Sequence, residues 1–171
     1  MRLASKQSGF TLVELLLYLA LAALMFGAIT SFLVMILSNR LESEAMIEVE
    51  QQGSALSQTI SSAIKNSSGV NYPAKNNSSS SLSLIMASTA KDPTIFYSSN
   101  GSFFIKEGSG NPVSLINNSV IISNIDFSNL GRANSKDSIK FRFNLKYATS
   151  SASQMQEFEY NKNFYGSANR R

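Results

Sequence analysis

The sequence predicts an α+β fold, in which one long amino-terminal helix packs its second half on an antiparallel β-sheet. Three observations predict it. Residues 10–37 are almost continuously apolar, apolar residues then recur at spacings of three and four to about residue 66, and short alternating stretches follow with no crossover helix between them. A chain of 171 residues is long enough for one modest domain with an appendage and too short for two full cores.

Composition narrows the chemistry. The chain has no Cys, which removes disulfides, thiolate nucleophiles and thiolate metal sites together. It also has no His, which excludes a Ser-His-Asp triad or a His-bearing zinc site. An enzyme built on this chain would have to run on carboxylates, Lys or Tyr, and no motif for such chemistry is present. Asp92, Asp126 and Asp137 are scattered without the spacing of a calcium loop. The expectation is a non-enzymatic protein with no cofactor and no metal.

The first element is the apolar run. As helix, residues 10–37 reach about 42 Å, against a hydrocarbon core of about 30 Å, so the run can span a membrane. Arg2 and Lys6 precede it, whereas only Arg40 follows closely, ahead of Glu42, Glu44, Glu48 and Glu50. That asymmetry predicts a single pass with the amino terminus in the cytoplasm and the bulk of the chain outside. A secretory signal peptide is the competing reading. Against it, the run is about twice the usual apolar core, and no clean small-x-small cleavage site lies at its far end.

Glu14 fits neither reading. A carboxylate on a membrane helix costs roughly 2.5–3.5 kcal/mol at the bilayer centre and less near the interface, so it asks for a partner. If the chain were cut between Gly9 and Phe10, a new α-amine would stand one helical turn before Glu14. Opposite charges would then share that end of the helix, and the carboxylate would favour the positive end of the helix dipole.

These residues carry a resemblance. The basic leader "MRLASKQSG", the Gly9–Phe10 junction and "FTLVE", with Glu14 fifth from the junction, resemble the amino-terminal motif of the type IV pilin and pseudopilin superfamily. The resemblance implies that a prepilin peptidase cuts after Gly9 and N-methylates Phe10. It further implies that Glu14 assists assembly by meeting the amino terminus of a neighbouring subunit. The implied partners are other pilin or pseudopilin subunits, an inner-membrane assembly platform and membrane lipid. The implied location is the cytoplasmic membrane, and a periplasmic or extracellular filament after assembly. Ser31 departs from the pattern, because major pilins commonly carry Pro there. The only helix-weakening residue in mid-run is Gly27.

The helical period continues beyond the membrane run. Met46, Val49, Gly53, Leu56, Ile60 and Ala63 fall on one stripe, with Glu48, Glu50, Gln51, Gln58 and Lys65 off it. A single helix would run to about Asn66, about 85 Å if straight, and "NSSGV" would end it with a C-cap and a loop. A coiled coil is the alternative, but there are fewer than three clean heptads and a Gly stands in the seam.

Strands follow. "SLSLIM" (81–86) alternates, and "TIFYSSNGSFFIKE" (94–107) holds Asn100–Gly101 between apolar runs, the composition of a type I′ hairpin turn. That turn pairs Tyr97 with Phe104 and Phe96 with Ile105, with aromatics on both faces and the buried face left open. In "SIKFRFNLKYA" (138–148), Ile139, Phe141, Phe143, Leu145 and Tyr147 point one way, and Lys140, Arg142, Asn144 and Lys146 the other. Residues 112–116, 119–127 and 157–161 are further strand candidates, while 76–81 and 148–154 read as Ser-rich loops. The expected organisation is a leader over 1–9, a transmembrane or filament-core helix over 10–38, its amphipathic continuation over 39–66, and a β-rich head over 67–171. Within the pilin and pseudopilin superfamily, the segment "SALSQTISSAIKNSSGV" followed by a strand-rich head is most similar to the J-type minor pseudopilins and the related W-type minor pilins.

From residue 66 onward the chain has eleven Lys and Arg against six Asp and Glu, so the head is basic. Lys140, Arg142 and Lys146, joined by Lys136, Lys162, Arg170 and Arg171, form a candidate surface for DNA or another polyanion. Outward Lys on a strand also protects a sheet against edge-to-edge association, which is the bland reading of the same residues. The functional expectation is a minor pilin or pseudopilin subunit. Its alternative is a membrane-displayed binding head that uses the helix only as an anchor.

Overall fold

In a computed structural model, residues 11–132, 135–148 and 160–170 are described. Helix α1 spans Leu12–Asn66, 55 residues, and the chain divides into two compact units at Leu41/Glu42. In the first unit the described positions carry their apolar side chains outward, with Leu12, Leu24 and Phe26 each more than two-thirds exposed. The run survives Gly27 as unbroken helix. Thr30 Oγ1 donates to the Phe26 carbonyl (2.8 Å) and Ser31 Oγ to the Gly27 carbonyl (3.0 Å), so the hydroxyls are satisfied by the helix itself.

The second unit is built on the remaining part of α1. Ala45, Val49, Leu56, Ile60 and Ile64 are buried along one stripe, with Gly53 between them. The expected stripe is therefore corrected at its ends. Met46 is 42% exposed and Ala45 takes its place, while Ala63 is only partly buried and Ile64 is fully so. The stripe advances by four, four, three, four and four residues, the spacing that keeps side chains on one face of an α-helix.

Among the described residues nine strands follow: β1 Ser67–Tyr72, β2 Ser78–Ser79, β3 Leu82–Met86, β4 Thr94–Ser99, β5 Ser102–Glu107, β6 Val113–Ser114, β7 Val120–Asn129, β8 Ser138–Tyr147 and β9 Asn161–Asn169. They form two antiparallel sheets rather than one, ordered β1-β3-β4-β5-β6 and β2-β7-β8-β9. No loop separates α1 from β1; Ser67 Oγ donates to the Ile64 carbonyl (2.8 Å) and the backbone turns straight into strand. The β4–β5 hairpin has the expected register, Tyr97 opposite Phe104 and Phe96 opposite Ile105. Asn100 and Gly101 both take positive φ, 50° and 76°, as a type I′ turn demands.

Burial decides which face of the hairpin is inside. Phe96 and Phe103 are buried and stack at 6.1 Å, whereas Tyr97 and Phe104 stack at 5.6 Å on the less covered side. Phe103 also reaches Phe127 of β7 at 6.5 Å, and Ile122 N donates to Gly101 O (2.8 Å), which joins the two sheets around one core. Each fully buried Phe, Leu or Ile in that core contributes about 1.5–3 kcal/mol. The β8 alternation holds, with Ile139, Phe141, Phe143 and Leu145 inside.

Of the strand expected over 157–161, only Tyr160 and Asn161 are among the described residues. The strand lies further on, at Asn161–Asn169. On its inner face Phe164 stacks on Phe143 at 5.3 Å and rests over Gly53, where an added Cβ would meet the ring within 2.0 Å. Lys162 forms an ion pair with Glu50 of α1. The Ser-rich stretch 76–81 also holds a short strand, β2, because Ser78 and Ser79 pair with Ser128 and Phe127 of β7.

Candidate functional site

The described start of α1 is a capped helix end. Thr11 precedes the helix, its Oγ1 accepts from Glu14 N (3.3 Å), and its carbonyl accepts from Leu15 N (3.2 Å). Thr11 is thus the N-cap and Glu14 the third helical residue, a T-x-x-E arrangement in which a cap oxygen and a carboxylate both face the positive end of the helix dipole. The signal for this cap was present in "TLVE". Gly9 and Phe10, the expected cleavage and methylation positions, lie outside the described residues, as does Arg171.

Beyond the cap, α1 is long and apolar enough to cross a membrane, and its described apolar side chains over Leu12–Leu37 are exposed. By length and composition such a helix could anchor the chain in a membrane.

The second candidate region is the outer face of the four-stranded sheet. Pairing in register places Asp126, Arg142 and Tyr165 in one row across β7, β8 and β9, with Ser128, Lys140 and Ser167 in another. Lys140 and Arg142 are exposed, and Arg142 Nε lies 3.6 Å from Asp126 Oδ2. Lys146 stands further along β8, opposite Ile121 and Asn161. The three expected cations therefore share a face, with an acidic neighbour at its middle.

Two of the accessory cations are placed elsewhere. Lys162 projects to the inner side of the sheet, where the Glu50 carboxylate accepts its hydrogen bond and raises its pKa above the ordinary lysine value against a smaller opposing effect of burial. Arg170 donates to the Ser68 carbonyl of β1. The carboxylates have structural partners as well: Asp92 Oδ1 accepts from Met86 N (2.9 Å) and Asp137 Oδ1 from Asn129 Nδ2 (3.3 Å). Among the described residues no group of three or more carboxylates could hold a metal ion.

Sequence reasoning missed Tyr165, 66% exposed beside Arg142, because it sits in a Gly- and Asn-rich stretch with no apolar alternation. It also missed Asn129. This residue is buried at 1% exposure, donates to Pro73 O (3.2 Å) and to Asp137, and accepts from Gly131 N (3.0 Å), so one amide ties two loops together.

Residues 4–30 match the family model of the prokaryotic N-terminal methylation motif. This match supports a type IV pilin-like precursor, and the α+β architecture agrees with one. The motif implies processing by a prepilin peptidase and assembly with other pilins, and it points to a structural rather than an enzymatic chain. Neither a curated protein nor a solved structure gives a significant match to the chain.

Proposed function

We propose that the chain is a minor prepilin-type subunit of a type IV pilus or a type II secretion-like pseudopilus. The carrying observation is the methylation motif at residues 4–30 leading into an uncovered apolar helix of membrane-spanning length. In this reading Gly9–Phe10 is the processed bond and Phe10 the methylated residue. Glu14 holds register with a neighbouring subunit's amino terminus, and the apolar helix, residues 10–38, becomes part of a shared filament core. The amino terminus is cytoplasmic and the head is on the far side of the membrane.

The test is intact-mass and amino-terminal peptide analysis of protein isolated from its native membrane. A chain beginning at Phe10 with one added methyl is expected; a chain that retains Met1 sinks the reading. Glu14→Ala is expected to leave the head folded and to exclude the subunit from filaments.

A displayed binding head is the second reading, favoured by the exposed Lys140 and Arg142 on one sheet face. Neutralising Lys140, Arg142 and Lys146 together would then abolish polyanion binding and spare filament incorporation.

A further inference from the structure

We propose that the outer face of the four-stranded sheet binds a neutral oligosaccharide, with Tyr165 as the platform under one sugar ring and Asp126, Arg142, Asn124 and Asn163 as partners for its hydroxyls. The assignment stands on the geometry of this face and does not rest on the prepilin reading.

Two adjoining hollows, of about 410 and 330 Å³, open on this face, and both are lined by Asp126 and Arg142. The larger also takes in Asn124, Asn163 and Tyr165, and its volume suits a small ligand of one or two rings. Tyr165 is an exposed ring directly across the strand from Arg142. Such a ring has an apolar face to offer the C–H face of a sugar and a polar tip that stays wetted.

Sugar hydroxyls both donate and accept, so a site for them needs both kinds of group close together. Asp126 supplies acceptors. Its Oδ2 is held by Ser128 Oγ (3.0 Å) and by the Arg142 pair, while its other oxygen takes no hydrogen bond among the described residues. Arg142 supplies donors, since its Nη groups form no hydrogen bond among the described residues. Asn163 Oδ1 accepts from Asn144 Nδ2 (3.0 Å), an orienting bond that leaves its own amide hydrogens available. The pairing of β7 with β8 slips between Ser123 and Asp126, and Asn124 there adopts φ 51°, a left-handed conformation that few residues with side chains take. Bulges of this kind re-aim side chains, and strained residues cluster where a ligand is held.

Asp126 also selects the class of ligand. A phosphate bound to Arg142 would face a carboxylate already 3.6 Å from the same guanidinium, and like charges in one site oppose binding. An uncharged polyhydroxylated ligand meets no such penalty and uses the carboxylate as an acceptor.

The test uses the full chain in micelles of lauryldimethylamine oxide, a detergent without a sugar headgroup. Neutral oligosaccharides of glucose, mannose, galactose and N-acetylglucosamine are titrated by saturation-transfer NMR, with a short oligothymidylate as the polyanionic probe. At least one oligosaccharide is expected to bind with a Kd of about 1 mM or tighter. Tyr165→Ala and Asp126→Asn are each expected to weaken it about tenfold or more, Tyr165→Phe to preserve it, and added salt to leave it unchanged. Thermal melts of the variants, altered only at exposed or half-exposed positions, separate lost binding from lost folding. The assignment is overturned if none of the oligosaccharides binds, or if Tyr165→Ala binds as well as the parent. It is equally overturned if the face takes up only oligothymidylate in a salt-sensitive manner, which would return it to the polyanion reading.

Discussion

Gly53 shows how much one absent methyl group can decide. A glycine inside a helix costs about 1 kcal/mol relative to alanine, yet here the ring of Phe164 occupies the space a Cβ would need and is itself backed by Phe143. Gly53→Ala is expected to lower stability by about 1–2 kcal/mol in chemical denaturation, because overpacking outweighs the gain in helix propensity. In a Phe164→Ala background the same substitution should become neutral or stabilising; an unchanged cost there would show that the ring is not the cause. Asn129 works through hydrogen bonds instead. Asn129→Ala is expected to cost about 2 kcal/mol, since it strands the Pro73 carbonyl and the Gly131 amide and leaves Asp137 without its amide partner. A denaturation midpoint equal to the parent's would refute that role.

At the level of elements, the β4–β5 turn and the α1–β9 contact behave differently. The turn is local: Asn100 and Gly101 both hold positive φ, and a Cβ on Gly101 would also lie 2.9 Å from Ile121 Cγ2. Gly101→Ala is therefore expected to destabilise by about 1–3 kcal/mol, read as a lower melting temperature, with Asn100→Ala costing less. The α1–β9 contact is not local. Glu50 and Gly53, three apart on the helix, meet Lys162 and Phe164, two apart on the strand. Because the Glu50 pair raises the Lys162 pKa, its contribution is intact below the ordinary lysine range and is lost as pH rises through the shifted value. Parent and Lys162→Met should thus differ in stability at neutral pH and converge in strongly alkaline solution. A difference that persisted there would place the effect in packing rather than charge.

On the scale of the whole molecule, the second unit carries its own core, from the Val49–Ile64 stripe through both sheets to Ala168. A chain of residues 42–171 is expected to unfold in one cooperative transition, with coincident far-ultraviolet circular dichroism and tyrosine fluorescence midpoints, and without detergent. Separate transitions for the two probes would contradict a single core. The described residues of the first unit form no such core, and their exposed apolar surface is expected to keep the full chain in the detergent or membrane fraction.

Periodicity made much of this readable. The apolar run, the amphipathic stripe, the hairpin register and the β8 alternation are local patterns with periods of 3.6 or 2, and each is visible in consecutive residues. The methylation-type motif is likewise a short contiguous signal, matched over residues 4–30. Other features depended on residues distant in the chain. Burial alone chose Phe96 and Phe103 over Tyr97 and Phe104, since both faces of the hairpin are aromatic. Strand β9 carries Gly166 and Ala168 where an alternating pattern would show larger side chains, so it became recognisable only through its pairing with β8. The division into two sheets, the burial of Asn129 and the meeting of Asp126, Arg142 and Tyr165 in one row all arise from contacts far apart in sequence. Periodic patterns record which face of an element is apolar; which elements meet is set by the packing of the whole core.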